Sequence, residues 1–233
     1  MVKMNISKRL QRVASFLPKG AKFVDIGSDH AYLPCYVCQN DLTALAIAGE
    51  VNEGPYQKAL ETVQAFSLTD RIDVRLGDGL EVVQANEVKQ IVIAGMGGSL
   101  VRKILNDGKE KLQTTKQIIA QPNVEAKAVR FWLYQHGFMI ADEDIMEENG
   151  HFYEIINAER LTKQIEQQLD ERAMLFGPIL LQTKPTAFYK KWRQEAVKLE
   201  HVLQQIKRAK EIDTKKLNQL TQEWEWMKEV IKL

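Results

Sequence analysis

The sequence predicts an α/β protein built on a Rossmann-like, doubly wound sheet, followed by a C-terminal α-helical coiled-coil hairpin. Short apolar runs with the length of buried strands alternate with amphipathic segments over residues 1–160. The first apolar run breaks into an acidic, glycine-bearing turn within residues 23–30, which is how α/β proteins commonly build a nucleotide site. In residues 186–233 apolar side chains recur every three or four positions instead, as they do in packed helices.

The predicted strands are short, apolar and bounded by turn residues. Two late β runs lie on either side of residues 148–151, which predicts an antiparallel hairpin at one edge of the sheet. The predicted strands, in chain order, are residues 22–27, 44–49, 72–76, 90–94, 117–120, 138–145 and 152–158.

The segments between the strands have the spacing of helices that bury one face. An N-terminal helix ends at Pro18, a second helix spans residues 31–40, and another ends at Gly137. Pro55 opens the helix after the second strand, where its missing N–H leaves no hydrogen bond unmade. The apolar stripe of that helix consists of Tyr56, Leu60, Val63 and Phe66.

The tail carries two apolar stripes that predict an antiparallel helical hairpin joined near residues 212–214. We therefore divide the chain into a Rossmann-like domain (1–160), a connecting segment (161–185) and the hairpin (186–233). The stripes consist of Trp192, Ala196, Leu199, Leu203 and Ile206 in the first helix, and of Leu217, Leu220, Trp224, Met227 and Ile231 in the second.

The composition is that of a globular protein. The chain has 233 residues, of which 45% are hydrophobic and 27% charged, enough to bury a full core. It has no run of 18 apolar residues and a charged N-terminus, so we expect a cytoplasmic protein without a membrane segment. Cys35 and Cys38 form a lone C-x-x-C without a second pair, so we expect packing on a helix and no metal.

An acidic side chain stands at the end of each of the first three predicted strands. These residues are Asp25, Glu50 and Asp78, and only Gly27 is present where a dinucleotide loop would carry G-x-G-x-x-G. An acidic loop repels a pyrophosphate but suits the sulfonium, ammonium and ribose hydroxyls of S-adenosylmethionine. Glu50 follows Asp25 at about the offset of an acid that binds ribose hydroxyls, and Asp78 can receive the adenine amino group.

Several motifs, in a fixed order over residues 5–181, resemble the bacterial TrmK family of tRNA (adenine-22-N1)-methyltransferases, which are class I methyltransferases. The resemblance implies S-adenosylmethionine as methyl donor, S-adenosylhomocysteine as product, and N1 of an adenine in the D-arm region of tRNA as acceptor. It covers the Rossmann-like domain from end to end and continues into the helical tail. The motifs are D-I-G-S-D-H-A-Y-L-P, G-M-G-G, Q-P-N, G-x-x-Y-E-I and F-G-P.

By similarity, the first loop lines the methionine end of the cofactor, Glu50 holds the ribose and Asp78 the adenine. The predicted cofactor contacts are Asp25, Gly27, Ser28, Asp29, His30, Glu50, Val51, Asn52, Gly77, Asp78, Gly79, Ala94, Gly95 and Met96. The predicted tRNA contacts are Lys8, Arg9, Gly97, Gly98, Gln121, Pro122, Asn123 and Tyr153.

Asp29 is the predicted catalytic residue. Methylation of N1 leaves a cationic base, which a nearby carboxylate can stabilise or deprotonate at the exocyclic amine. Asp29 also stands just before a predicted helix, where an Asp N-cap contributes about 0.5–2 kcal/mol without any catalytic role. Both interpretations of Asp29 remain open at this point.

Two further predicted contacts have a structural alternative. The segment 121–123 can supply amide contacts to the target base, or it can be a proline-containing turn that starts a helix. Tyr153 can stack on an extruded base, or it can be a core residue of the hairpin. The segment 95–98 lacks the N/D-P-P-Y/F tetrapeptide of enzymes that methylate exocyclic amines, which favours a ring nitrogen as the acceptor.

The tail is the more basic part of the chain, with 14 Lys and Arg against 10 Asp and Glu from Leu161 onward. Its basic side chains can hold tRNA phosphates, or they can be the charged face of a coiled coil. We expect a monomer, with weak dimerisation through the tail left open. The alternatives are a methyltransferase for another nucleic acid or a small molecule, and an inactive S-adenosylmethionine- or RNA-binding scaffold. The basic tail positions are Lys190, Lys191, Arg193, Lys207, Arg208, Lys210, Lys215 and Lys216.

Overall fold

The computed structural model describes residues 3–161, 170–208 and 213–232, and within them a seven-stranded sheet with helices on both faces. The strands are β1 (Lys22–Ile26), β2 (Leu45–Glu50), β3 (Ile72–Leu76), β4 (Gln90–Gly97), β5 (Gln117–Val124), β6 (Phe138–Glu148) and β7 (His151–Arg160). The helices are α1 (Lys8–Ala14), α2 (Tyr32–Asn40), α3 (Glu53–Ala65), α4 (Gly98–Asp107), α5 (Ala126–Gln135), α6 (Glu171–Phe176), α7 (Pro178–Thr183), α8 (Thr186–Lys207) and α9 (Thr214–Ile231).

The sheet has the strand order β3-β2-β1-β4-β5-β7-β6. β1 to β5 run parallel, whereas β7 pairs antiparallel with both β5 and β6. The strand order reverses between β1 and β4, and ligands of open α/β sheets bind beyond the carboxyl ends of the strands at such a reversal. The Rossmann-like sheet and its terminal hairpin are thus confirmed.

The central strands are buried on both faces. Phe23 packs on the face covered by α1, α2 and α3, and its neighbour Val24 packs on the face covered by α4 and α5. Val92 and Ile93 of β4 divide between the two faces in the same way. Each fully buried side chain of this size contributes about 1.5–3 kcal/mol, so the core fixes the strand ends that carry the acidic residues.

β5 is longer than predicted, because it continues through Pro122 to Val124. Its partner β4 has register shifts around Met96, and Gly95 there has a positive φ of +81°. Pro122 pairs opposite Met96 at this irregularity, where a residue without an N–H is tolerated. The interpretation of residues 121–123 as a turn that starts a helix is therefore wrong.

The tail contains the two predicted helices, α8 and α9, which pack on each other through a common apolar cluster. Phe188 and Trp192 of α8 meet Met227 and Val230 of α9, and Ile145 of β6 joins them. This cluster fastens both helices to the hairpin strand β6. The predicted joint at residues 212–214 and the basic residue Lys210 lie in part or wholly outside the described residues.

No helix in the described part of the chain is both long and apolar enough to cross a membrane.

Candidate functional site

The loop after β1 contacts β2 through backbone hydrogen bonds and β4 through the side chain of Met96. The backbone N–H groups of Gly27 and Ser28 both donate to the carbonyl of Gly49, at 2.9 and 3.1 Å. Gly27 has a φ of +66°, and a Cβ at this position would lie 2.3 Å from the Cε of Met96. A side chain at residue 27 would therefore displace the Met96 side chain of β4, and the positive φ of Gly27 would be strained for any residue with a Cβ.

Asp25 lies at the end of β1 and is only 4% exposed. The hydroxyl of Ser28 donates to its Oδ2 at 2.7 Å. Burial raises the pKa of Asp25 to about 7, against the lowering effect of the Ser28 hydrogen bond, and the nearby Glu50 raises it further. Asp25 is thus a carboxyl group that becomes easier to ionise when a cation is placed beside it.

Glu50 provides a second buried carboxylate at the end of β2. Its Oε1 accepts a hydrogen bond from the backbone N–H of His30 at 3.1 Å, and burial raises its pKa. The Nδ1 atom of His30 is buried and has no hydrogen-bond partner among the described residues. A cationic ligand with ribose hydroxyls fits these surroundings. They consist of two buried carboxyl groups, an unpartnered ring nitrogen and a loop packed closely at Gly27.

Residues Asp29, His30 and Ala31 all have positive φ angles, of 48°, 70° and 60°. Each non-glycine residue in this conformation costs about 1–3 kcal/mol, so the surrounding structure holds the loop in a strained shape. Ala31 is the N-cap residue of α2 and has no side-chain cap hydrogen bond. Asp29 therefore does not cap α2, and its carboxylate is 86% exposed, 3.5 Å from Nε2 of His30.

The predicted adenine end of the site lies after β3. Asp78 is exposed and precedes a 3₁₀ helix (Gly79–Val82), and the N–H of Gly77 donates to the carbonyl of Glu50 at 2.8 Å. Val51 and Asn52 are exposed beside it, between β2 and α3. The acidic residues predicted at three successive strand ends thus lie along one edge of the sheet.

A chain of side-chain hydrogen bonds crosses the ends of β4 and β5. Arg9 of α1 donates through Nη1 to Oε1 of the fully buried Gln121, at 2.5 Å. Nε2 of Gln121 donates to Oδ1 of Asn123 at 3.2 Å, and Nδ2 of Asn123 donates to the carbonyl of Gly95 at 2.8 Å. The Arg9 guanidinium also lies 5.4 Å from the ring centroid of the half-buried Tyr153.

Gly98, the residue that follows β4, allows two chain segments to approach closely. A Cβ at Gly98, the first residue of α4, would lie 2.2 Å from the backbone oxygen of Glu125. Gly97, the N-cap residue of α4, and Gly95 face more open space, and Ala94 is half-buried beside Met96. The predicted base-binding segment is thus uncrowded at Gly95 and Gly97 and tightly packed at Gly98.

The sequence and the fold match those of a known group of proteins. A family model described as TrmK: tRNA (adenine(22)-N(1))-methyltransferase matches residues 23–229. The tRNA (adenine(22)-N(1))-methyltransferase of Bacillus subtilis (strain 168) is 43% identical over 235 residues, which cover 99% of each chain. This chain belongs to the TrmK family.

Solved structures give the same relationship. The crystal structure of the B. subtilis m1A22 tRNA methyltransferase TrmK matches with a TM-score of 0.91 at 42% identity, covering 99% of this chain and 100% of that one. A candidate tRNA (m1A22) methyltransferase from Streptococcus pneumoniae, in complex with S-adenosyl-L-methionine, matches with a TM-score of 0.86 at 41% identity. That match covers 97% of this chain and all of the other.

In this TrmK family member, α1 is held over the site by acidic residues of β6. The carboxylate of Glu148 accepts the backbone N–H of Lys8 at 2.9 Å and that of Arg9 at 3.3 Å, and Asp144 pairs with Arg12. A carboxylate at a helix N-terminus satisfies donors that have no partner within the helix. The motifs did not indicate the role of Glu148, because its partners are more than 130 positions away in the chain.

A groove with a volume of about 760 Å³ runs from Asn123 and Tyr153 to the tail helices. Its walls carry apolar side chains and charges of both signs, with Trp192 and Lys198 of α8 and Lys127 of α5 among the lining residues. Four glutamates line it as well, namely Glu125, Glu154, Glu195 and Glu223. The groove connects the predicted base contacts with the tail.

The tail's basic residues differ in their surroundings. Lys191 was expected on the exposed face, but it forms an ion pair with Glu154, and burial lowers its pKa to about 7. Lys190 is exposed and pairs with Glu147 at 2.7 Å. The remaining described positions are exposed, namely Arg193, Lys207, Arg208, Lys215 and Lys216.

The sequence motifs missed a buried charge cluster under the groove. Arg130 of α5 is 0% exposed and pairs with Glu143 of β6 at 2.7 Å and with Glu154 of β7. Its Nη1 donates to the carbonyls of Met174 and Leu175 of α6, at 3.2 Å each. Arg130 therefore joins the sheet to the segment that leads into the tail.

Among residues 3–161, 170–208 and 213–232, no group of three or more His, Cys, Asp or Glu side chains is placed to hold a metal ion. Cys35 and Cys38 are free and buried on α2, where burial raises the thiol pKa to about 12 and about 11.

Proposed function

We propose that this chain transfers the methyl group of S-adenosylmethionine to N1 of adenine 22 in tRNA and releases S-adenosylhomocysteine. Family membership gives the reaction. The observation that carries the residue assignment is the sheet edge, where buried Asp25 and Glu50 lie on one side of the Gly27–Met96 contact and the Gln121–Asn123 amides on the other.

The cofactor side is assigned from charge and burial. Asp25 faces the cationic methionine end, Glu50 accepts the ribose hydroxyls and Asp78 the adenine amino group. The rest of the predicted cofactor set surrounds these acids, because the loops after β1, β2, β3 and β4 meet at this edge. When bound, S-adenosylmethionine supplies a methyl group already activated by a sulfonium.

The substrate side orients the nucleophile. The target base enters at the opening around Gly97, where Asn123 contacts its Watson–Crick edge and Tyr153 stacks on it, so the base leaves any pairing in the tRNA. Little covalent help is needed, since the main requirement is that N1 meets the methyl group in line at near-attack distance. The bond from sulfur to methyl breaks as the bond from N1 to methyl forms.

Asp29 is the proposed catalytic residue, since its exposed carboxylate is free to meet the substrate. The methylated adenine carries a positive charge, which Asp29 stabilises or removes by taking a proton from the exocyclic amine. The excluded N-cap role leaves this strained, exposed carboxylate without a structural function in α2.

The tail is proposed to be an antiparallel coiled-coil hairpin (186–233) that binds tRNA, linked by residues 161–185 to the S-adenosylmethionine-binding catalytic domain (1–160). Its exposed basic residues and the groove beside Asn123 support this assignment. Each phosphate contact steepens the salt dependence of binding by about 0.9 on a log–log scale for duplex, less for single strands. We propose a cytoplasmic monomer.

The test is methyl transfer from labelled S-adenosylmethionine to unmodified tRNA transcripts that carry A or G at position 22, followed by nucleoside analysis. N1-methyladenosine formed only from the A22 transcript is the expected result. Label on another nucleoside, or none despite cofactor binding, would keep the fold and overturn the proposed substrate.

A further inference from the structure

Arg9 enters the site from α1, whose first turn is held in place by hydrogen bonds to its backbone N–H groups. The hydroxyl of Ser7 accepts the N–H of Leu10 at 3.2 Å, and Glu148 accepts the N–H groups of Lys8 and Arg9. The half-buried Arg9 side chain then reaches Gln121, 112 positions away in the chain. The guanidinium is therefore held at one place beside the end of β5.

The series of hydrogen bonds from Arg9 through Gln121 and Asn123 can have only one donor-to-acceptor direction, which we call its polarity. A guanidinium has donors and no acceptor, so the atom of Gln121 that faces Arg9 is its oxygen, Oε1. Nε2 of Gln121 then faces Asn123, whose Oδ1 accepts, and Nδ2 of Asn123 donates to the carbonyl of Gly95, which can only accept. Arg9 and Gly95 thus fix the orientation of both amides from opposite ends.

This polarity determines what Asn123 offers to a base. Asn123 is exposed at the mouth of the site, and its Oδ1 uses one lone pair for Gln121 and keeps a second one. Adenine presents a 6-amino donor next to N1, whereas guanine presents an oxygen at that position. Oδ1 of Asn123, held in this position, accepts a hydrogen bond from the 6-amino group of adenine and repels the 6-oxygen of guanine.

We propose that Arg9 is a positioning residue for base specificity, because by fixing the polarity of the Gln121–Asn123 amides it makes Oδ1 of Asn123 an acceptor for the 6-amino group of the target adenine. The inference rests on the proposed function and adds to it the source of selectivity at the 6-position. Arg9 itself does not touch the base.

The experiment compares single-turnover methylation of two ligated tRNAs, one with adenine and one with purine at position 22. Purine retains the N1 nucleophile but lacks the amino group, which also makes N1 less nucleophilic and removes the proton proposed to pass to Asp29. These two effects are common to the wild-type protein and the variants, so the change in the adenine-to-purine rate ratio between them reports the hydrogen bond to Asn123. In Arg9→Met we expect the ratio to fall about tenfold from its wild-type value, as for one hydrogen bond at an otherwise unpaired polar site.

Two further variants separate positioning from general damage. Arg9→Lys keeps a group that only donates, and it should retain most of the ratio even where both rates fall. Gln121→Glu keeps an acceptor for Arg9 but removes the donor to Asn123, so the adenine-to-purine rate ratio of this variant should fall as in Arg9→Met. Thermal stabilisation by S-adenosylmethionine shows that each variant is folded and binds the cofactor.

The outcomes are distinguishable from a failure of the proposed function. If the wild-type protein methylates neither tRNA, the proposed function is wrong and the inference falls with it. If it methylates adenine and purine equally well, or if Arg9→Met lowers both rates while the adenine-to-purine ratio stays at its wild-type value, the reaction stands and the role of Arg9 is refuted.

Discussion

Protonation of Asp25 should control the affinity for S-adenosylmethionine. The buried carboxyl has a pKa of about 7 instead of the ordinary 3.8, chiefly because burial disfavours its ionised form. At 1.36 kcal/mol per pKa unit, ionising Asp25 in the empty site costs about 4 kcal/mol more than ionising an ordinary aspartate in water. A cationic ligand beside the carboxylate offsets this cost, so binding is coupled to the loss of a proton.

The size of the expected change in cofactor affinity follows from the fraction of Asp25 that is ionised in the empty site. If the bound cofactor restores an ordinary pKa, affinity tracks that fraction and falls about 15-fold between pH 7 and pH 5.5. Close to one proton should be released for each cofactor bound at pH 5.5. The range stays below the pKa of about 8 of an α-amino group, so the ligand's ammonium remains charged throughout.

The assay is isothermal titration calorimetry at several pH values, in buffer pairs with different ionisation enthalpies. Asp25→Asn keeps an acceptor for the Ser28 hydroxyl but removes the titrating group, so its affinity should be lower at pH 7 and its pH dependence weaker. Glu50, whose pKa burial also raises, accounts for any residual slope. An unchanged slope in Asp25→Asn, or no proton release from the wild-type protein at pH 5.5, would refute the reasoning.

The raised pKa of Asp25 also makes the free energy of unfolding depend on pH. Between about pH 4 and pH 7 the folded protein holds a proton on Asp25 that the unfolded chain has lost. The free energy of unfolding of the cofactor-free protein should therefore fall as pH rises through this window. Chemical denaturation should show this fall in the wild-type protein and a smaller one in Asp25→Asn.

Three other substitutions test the remaining parts of the site. Arg130→Met leaves the buried carboxylate of Glu143 without its cation and that of Glu154 with Lys191 alone, and it should cost about 3–5 kcal/mol, seen in calorimetry as a Tm lower by roughly 10 °C; a change under 2 °C would contradict it. Gly98→Ala places a Cβ 2.2 Å from a backbone oxygen and should abolish methyl transfer, whereas the matched Gly54→Ala, with nothing within 4 Å, should leave activity and Tm intact. Asp29→Asn, in which the new residue tolerates the left-handed φ of position 29, should keep the Tm and cofactor affinity but lower turnover on A22 tRNA about 100-fold, as expected when a proton acceptor is lost; unchanged turnover would exclude a catalytic role.

The fold could be predicted because strand periodicity and helix spacing are local properties of the chain. The alternation of strands and helices predicted the sheet and the antiparallel hairpin at its side, and the acidic residues at 25, 50 and 78 lie at or just after the carboxyl ends of β1, β2 and β3 as expected. Parallel strands bring their carboxyl ends together, so a strand-end residue is located once its strand is identified.

The details of the site were less predictable because they depend on contacts between distant segments. The left-handed run 29–31 contains no glycine to announce it, and it moves the start of α2 so that Asp29 is not its cap. Pro122 belongs to β5 only because the partner strand is irregular at Gly95. The exposure of Lys191 was mispredicted because its partner, Glu154, comes from the other side of the groove.

The two halves of the site differ in how they are built, and this difference has a functional meaning. The cofactor half consists of strand ends that follow one another within residues 22–96, whereas the substrate half joins α1, β5 and the hairpin across more than 100 positions. They meet where Met96 fills the space left by the missing side chain of Gly27. The acceptor base is thus positioned by the assembled tertiary structure and not by one loop, so substitutions in α1 or β6 that leave cofactor binding intact should still impair methyl transfer.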